Sequence, residues 1–136
     1  MFDYHVHTVR SVDCVTPIEA SCQAAIEHGV TEIAFTDHVD HQPLDEGFGF
    51  YRPDDYFEDI QRVREQFGDR LNILRGIEVD YHDDTRPVVE RFMHDFGHQY
   101  DFVIGSVHYG NSGRIIFPDY FAGTTNDAVF ADYFAQ

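Results

Sequence analysis

Hydrophobic residues along this chain fall into short continuous runs separated by stretches of helical period, and the alternation repeats. Phe2 to His7 predicts a short strand. Thr16 as N-cap, Pro17 at the first helical position and Glu19 behind it form a capping box for a first helix. Its apolar stripe is Ile18, Cys22, Ala25 and Ile26, and Gly29 is its stop. Thr31 to Thr36, with Ile33, Ala34 and Phe35, predicts a buried strand, and Gln42 to Arg52 a loop rich in Gly, Pro and aromatics. Pro53-Asp54-Asp55 opens a second helix, its acids favoured by the helix dipole; Tyr56, Ile60, Val63 and Phe67 form its stripe and Gly68 closes it. Leu71 to Val79 predicts a third strand. Thr85 to Phe96 predicts a third helix with Val88, Val89, Phe92, Met93 and Phe96 on one side. Phe102 to Val107 predicts a fourth strand, and Asn126 to Phe134 begins a fourth helix. A βα unit repeated in this way predicts an α/β fold with a parallel sheet and right-handed crossovers. Periodicity leaves open whether the sheet is doubly wound or part of a barrel.

Composition narrows the class. A length of 136 residues suits one domain. A hydrophobic content of 43% with 13 Phe and 8 Tyr argues against disorder despite a net charge of −16. The acidic balance argues against nucleic acid as a partner, since phosphate backbones demand clustered cations. No run approaches the roughly 18 apolar residues of a membrane helix, so no membrane association is expected. Met1-Phe2-Asp3 does not open a signal peptide. Cys14 and Cys22 make neither a zinc nor a disulfide pattern, and free thiols predict a cytoplasmic protein.

Nine histidines change the picture. His5 and His7 stand at i and i+2 at the end of the first strand, so both imidazoles reach one side. Asp37-His38 ends the second strand, Glu78 with Asp80 the third, and His108 the fourth. Any one of these positions is ordinary; a His or Glu at the carboxyl end of every strand, where α/β proteins build sites, points to metal binding. Imidazoles with carboxylates and no thiolate motif suit zinc, manganese or iron. Glu78, on a central strand between histidine-bearing strands, is placed to bridge two cations, an arrangement typical of phosphoester hydrolysis. Asp13, unaided, reads as a turn residue near the helix entrance. His28 suits a helix C-terminus, and His94 and His98 suit a solvated helix face. His41 and His82 follow ligand-bearing strands and stay undecided. Arg10 and Arg52 read as surface arginines near ligand-bearing loops. Phe48-Gly49-Phe50-Tyr51 either walls a pocket or packs under the second helix.

Four motifs carry a resemblance: His5-Val6-His7-Thr8, Phe35-Thr36-Asp37-His38, Gly76-Ile77-Glu78-Val79-Asp80-Tyr81 and Ile104-Gly105-Ser106-Val107-His108. In this order they resemble the PHP (polymerase and histidinol phosphatase) superfamily. The segment from Tyr56 through Phe67-Gly68-Asp69 to Glu78 is similar to its monofunctional histidinol-phosphatase branch. The resemblance implies the amino-terminal half of a distorted (β/α)7 TIM-like barrel with up to three divalent metal ions (Zn, Mn or Fe). It implies His5, His7 and Glu78 on the first metal, and Glu78 with His108 as the catalytic pair on the second. Asp13 and His38 would hold the third, which reverses the unaided reading of Asp13.

The implied activity is hydrolysis of a small phosphorylated substrate, L-histidinol phosphate, in histidine biosynthesis. Two other readings share these ligands: a PHP phosphoesterase acting on nucleotides or DNA ends, and an inactive metal-binding fragment. Family members supply further ligands, including a late Asp-x-His pair. No His follows His108 here, so residues 1–136 are expected to form a single partial PHP domain lacking the carboxyl-terminal barrel strands. Such an open sheet predicts pairing with a complementary carboxyl-terminal half, or self-association.

Overall fold

The computed structural model describes residues 1–110, 113–115 and 118–136. In chain order the elements are β1 (Phe2–Val6), α1 (Ile18–Glu27), β2 (Glu32–Phe35), β3 (His38–Val39), α2 (Pro53–Phe67), β4 (Asn72–Asp80), α3 (Arg86–Phe96) and β5 (Phe102–Ser106). A small hairpin of β6 (Tyr109–Gly110) and β7 (Gly113–Arg114) follows, then α4 (Pro118–Phe121) and α5 (Asn126–Tyr133). No helix among the described residues is long and apolar enough to cross a membrane.

The main sheet is parallel throughout: β1 pairs with β2, β2 with β4, and β4 with β5. Short β3 prolongs the line of β2 and pairs with the far part of β4, His38 against Glu78 and Val39 against Val79. Spatial order therefore follows chain order. A doubly wound sheet requires a point where that order reverses. None occurs in this sheet, so the alternative that periodicity left open resolves to a partial barrel, with strand ends gathered at one mouth.

Register sorts the side chains into two populations. Ile33 with Ile73, and Ile77 with Val103, share one face; Glu78 with Ile104, and Asp80 with Ser106, share the other. The first face is covered by helices: Ile33, Phe35, Ile73, Ile77 and Val79 join Ile18, Cys22, Tyr56, Ile60, Val63 and Phe67 in the core. Complete burial of side chains such as Phe35 and Ile77 contributes about 1.5–3 kcal/mol each.

The break between β2 and β3 is held by polar contacts. The Tyr56 hydroxyl, from α2, lies 2.9 Å from the Phe35 carbonyl oxygen and 2.7 Å from that of Gly76. Gly76 is needed here, since a β-carbon would stand 2.6 Å from the Phe35 carbonyl oxygen. Buried Asp37 accepts from the Thr8 N–H at 2.5 Å and the Thr8 hydroxyl at 2.8 Å. Burial pushes the Asp37 carboxyl above its ordinary value, against those hydrogen bonds. This clasp ties the exit of β1 to the exit of β2, and so brings His7 beside His38.

Helix boundaries differ from expectation in two places. α1 starts at Ile18, with Pro17 as an extended N-cap (φ −60°, ψ 142°) whose ring offers no acceptor for a side-chain cap. Thr16 caps nothing; its carbonyl accepts the Val9 N–H instead. α3 starts at Arg86, behind a 3-10 turn over Asp83–Thr85. Of its expected stripe, Val89 is buried with Phe92 and Met93 packed against the core, while Val88 and Phe96 face solvent. The stripe is wider than the contact.

Candidate metal centre

Glu78 is the hub of the strand ends. It is 3% exposed, on the inward face of β4. Its Oε2 lies 2.9 Å from His5 Nε2, 2.9 Å from His7 Nε2 and 3.6 Å from His38 Nδ1. Its Oε1 lies 3.3 Å from His108 Nε2 and accepts a hydrogen bond from the Ser106 hydroxyl. Burial alone would raise the Glu78 carboxyl, but hydrogen bonds from His108, His7, Ser106 and His5 outweigh it and hold the group far below its ordinary value.

The imidazoles form a continuous arc, with ring centroids 5.1 Å apart for His5–His7, 4.5 Å for His7–His38 and 4.9 Å for His38–His108. Asp13 closes one side. Its carboxylate meets His7 Nδ1 at 3.1 Å and His38 Nε2 at 3.5 Å. Ser11 fixes it there: the Ser11 hydroxyl donates to Asp13 Oδ1 at 2.8 Å and accepts the His38 backbone N–H at 3.2 Å. Burial opposes ionisation of Asp13, but the Ser11 hydroxyl and the two imidazoles overcome it and lower its pKa.

With protons as the only cations, two imidazoles are held charged. The hydrogen bond to Glu78 carries His7 up to about 9. For His108, burial pulls down, but Asp40, Glu78 and Asp80 raise it to about 10. Two buried atoms at this corner, His38 Nδ1 and Asp80 Oδ2, have no hydrogen-bond partner. A carboxylate ringed by imidazoles, with unpaired buried acceptors beside it, is the donor set of a divalent cation site.

Three groups of these residues bring their ligand atoms within 4.8 Å of one another: His5, His7 and Glu78; His38, Glu78 and His108; His7, Asp13 and His38. All six residues expected to bind metal thus lie in one cluster. Asp13, the turn residue of the unaided reading, closes one side of it.

The remaining candidates lie elsewhere. Arg10 is turned to α2, with Nε 2.6 Å from Asp59 and Nη1 3.1 Å from Asp55. Arg52 donates to the carbonyls of Gly49 and Tyr51. The buried His82 ring accepts the Asp84 N–H and caps the 3-10 turn. His41 packs against Phe92, ring centroids 5.3 Å apart. His28 Nδ1 contacts the Ala24 carbonyl at 2.8 Å, and His94 pairs with Asp95. In the aromatic loop Tyr51 packs on Tyr56, while Phe48 and Phe50 are exposed.

Sequence reasoning missed Asp40, Ser106 and Arg114, and gave Asp80 no role. A cavity of about 130 Å³ opens beside the cluster, lined by Val12, Asp13, His38, Asp40, Asp45, His108 and Arg114. The signal that exposes Asp40, Asp80 and Ser106 is the one that exposed His5 and His7: each stands two residues from a ligand candidate on a strand line. Arg114 carries no such signal, because β7 has two residues.

A sequence profile described as PHP domain matches residues 3–136. A probable histidinol-phosphatase of Deinococcus radiodurans is 29% identical over 98% of this chain and 53% of its own length. The histidinol-phosphatase of Lactococcus lactis is 33% identical over 78% of this chain and 38% of its own length. Among solved structures, the chain matches the crystal structure of histidinol phosphate phosphatase from Lactococcus lactis complexed with zinc, L-histidinol and phosphate. That match has a TM-score of 0.87 and 26% identity, and covers 98% of this chain and 50% of that one. The chain spans about half the length of the curated relatives it matches.

Proposed function

This chain belongs to the PHP domain family, and from that premise we propose that it carries the amino-terminal part of a metal-dependent histidinol-phosphatase. The reaction is hydrolysis of L-histidinol phosphate to L-histidinol and phosphate. On this reading the 136 residues are part of one PHP domain, spanning about half the length of the relatives. One observation carries this reading: four imidazoles and Asp13 converge around the buried carboxylate of Glu78.

In this reading His5, His7 and Glu78 hold one cation, Glu78 and His108 a second, and Asp13 with His38 a third. Zinc, manganese and iron all suit the donors; zinc is favoured by its presence in the Lactococcus lactis neighbour. Divalent ions supply charge neutralisation at the phosphoryl oxygens and a nucleophile at neutral pH. The protein's part is positional. Glu78 spans two sites, and Ser106 fixes its second oxygen. Ser11 and Asp13 fix the side of the arc next to the cavity. The strongly acidic chain is no obstacle to an anionic substrate, because imidazole ligands add no negative charge to offset a bound cation.

The test is phosphate release from L-histidinol phosphate by a zinc- or manganese-loaded complete barrel that contains these residues, compared with AMP and p-nitrophenyl phosphate. The expected result is preference for L-histidinol phosphate and loss of activity in Glu78→Gln. Preference for AMP, or full activity in Glu78→Gln, contradicts the proposal.

A further inference from the structure

Two buried carboxylates stand behind His108, on the side of the ring away from Glu78. Asp80 is wholly buried; its Oδ1 accepts the His108 backbone N–H at 3.2 Å and lies 3.4 Å from His108 Nδ1. Its Oδ2 is buried without a hydrogen-bond partner. Asp40, 6% exposed, places Oδ1 3.8 Å from His108 Nδ1 and 3.8 Å from His38 Nδ1. The Asp40 carboxylate is seated against bare backbone, since a β-carbon on Gly47 would collide with its Oδ2. Ligand atoms of Asp40, Asp80 and His108 lie within 4.8 Å of one another.

Burying two carboxylates side by side costs free energy unless positive charge answers them. Both face the Nδ1 edge of His108, Asp40 also faces that of His38, and Arg114 lines the same cavity as Asp40. His108 therefore has different chemistry at its two nitrogens: Nε2 faces Glu78 at 3.3 Å, and Nδ1 faces Asp80 at 3.4 Å and Asp40 at 3.8 Å. A histidine that ligates a metal through one nitrogen characteristically donates its other N–H to a carboxylate, which fixes its tautomer and ring orientation.

We propose that Asp80, supported by Asp40, is a positioning residue for His108, keeping the ring proton on Nδ1 and turning unprotonated Nε2 toward the Glu78 site. The inference rests on the metal reading of that site. Asp40 stands between two arc histidines, so its carboxylate serves both rings.

The test combines zinc affinity, measured by chelator competition on the full chain, with nitrogen NMR of the His108 ring in the zinc-loaded protein. In the wild type the spectra are expected to show a proton on Nδ1 and zinc on Nε2. Asp80→Asn introduces an amide that can donate to Nδ1 and so favours the proton on Nε2. The expected outcome is a 10–100-fold loss of zinc affinity with unchanged stoichiometry. Gly47→Ala displaces the Asp40 carboxylate without touching either aspartate and should give a smaller loss of the same kind; it keeps the test decisive if Asp80→Asn does not fold.

Zinc on Nδ1 of His108 in the wild type, or unchanged affinity in the folded variants, overturns this inference alone. A stoichiometry lowered by one in Asp80→Asn also overturns it, because the carboxylates would then be ligands themselves. No zinc uptake by the wild type overturns the metal reading and this inference together.

Discussion

Consecutive residues of β4 live in opposite surroundings. Ile77 and Val79 point into the layer beneath the helices, where burial of apolar surface is the main contribution. Glu78 and Asp80, between and beyond them, point to the concave side among imidazoles. One face carries the apolar core, and the other presents the donors proposed to hold metal. The contrast teaches that stability and metal chemistry are separable here, though they share a nine-residue segment of backbone.

The sharpest way to break that contrast is to damage each face in turn. Ile77→Ala should destabilise the metal-free protein by about 2–5 kcal/mol, read from urea unfolding. Its zinc affinity should stay near wild type wherever the variant is folded. Glu78→Gln should do the reverse: zinc affinity falls at least 100-fold, about 2.7 kcal/mol by chelator competition, with a smaller change in the urea midpoint. If Ile77→Ala also lost zinc affinity while folded, the two faces would not be separable. Tyr56→Phe is a subtler probe of the outer side. Removing the hydroxyl leaves the buried carbonyls of Phe35 and Gly76 short of a donor and should cost about 1–3 kcal/mol. A neutral result would mean that the strand break needs no polar support.

Acidity probes the inner side. His7 and His108, raised to about 9 and about 10, lie above the ordinary imidazole value of 6.5. Their contribution to metal-free stability is complete below that ordinary value and is lost as pH rises through 9 to 10. Glu78 is depressed, so its contribution is present above the ordinary carboxylate range and is lost as pH falls beneath it. The metal-free melting temperature should therefore decline on the alkaline side. Zinc uptake should strengthen in the same direction, because each imidazole must give up its proton to bind. Parallel trends in the two measurements would contradict these assignments.

Much of this was legible in the sequence, and the reason is periodicity. The strands announce themselves as short continuous apolar runs and the long helices by a repeat of 3.6 residues, and the ligand candidates sit where those strands end. What stayed hidden lacked a repeat. β3, β6 and β7 have two residues each and α4 has four, too few to show a period. The Thr16 cap failed because a local motif lost to a tertiary bond from Val9. Arg10 is near the site in sequence but is held by Asp55 and Asp59 of α2, and Arg52 turns back on the carbonyls of Gly49 and Tyr51 in its own loop. Asp13 was readable only through family likeness, since its role depends on a loop folding back over the arc.

His5, His7, Asp13, His38, Glu78 and His108 are the residues proposed to form a centre for divalent ions. Zinc-edge X-ray absorption of the loaded protein tests it most directly. Only nitrogen and oxygen neighbours are expected, at about 2.0–2.2 Å, with imidazole scattering. Cys14 lies close by, its thiol 3.4 Å from the His7 carbonyl oxygen. A sulfur shell near 2.3 Å, or a protein that retains no zinc, would contradict it.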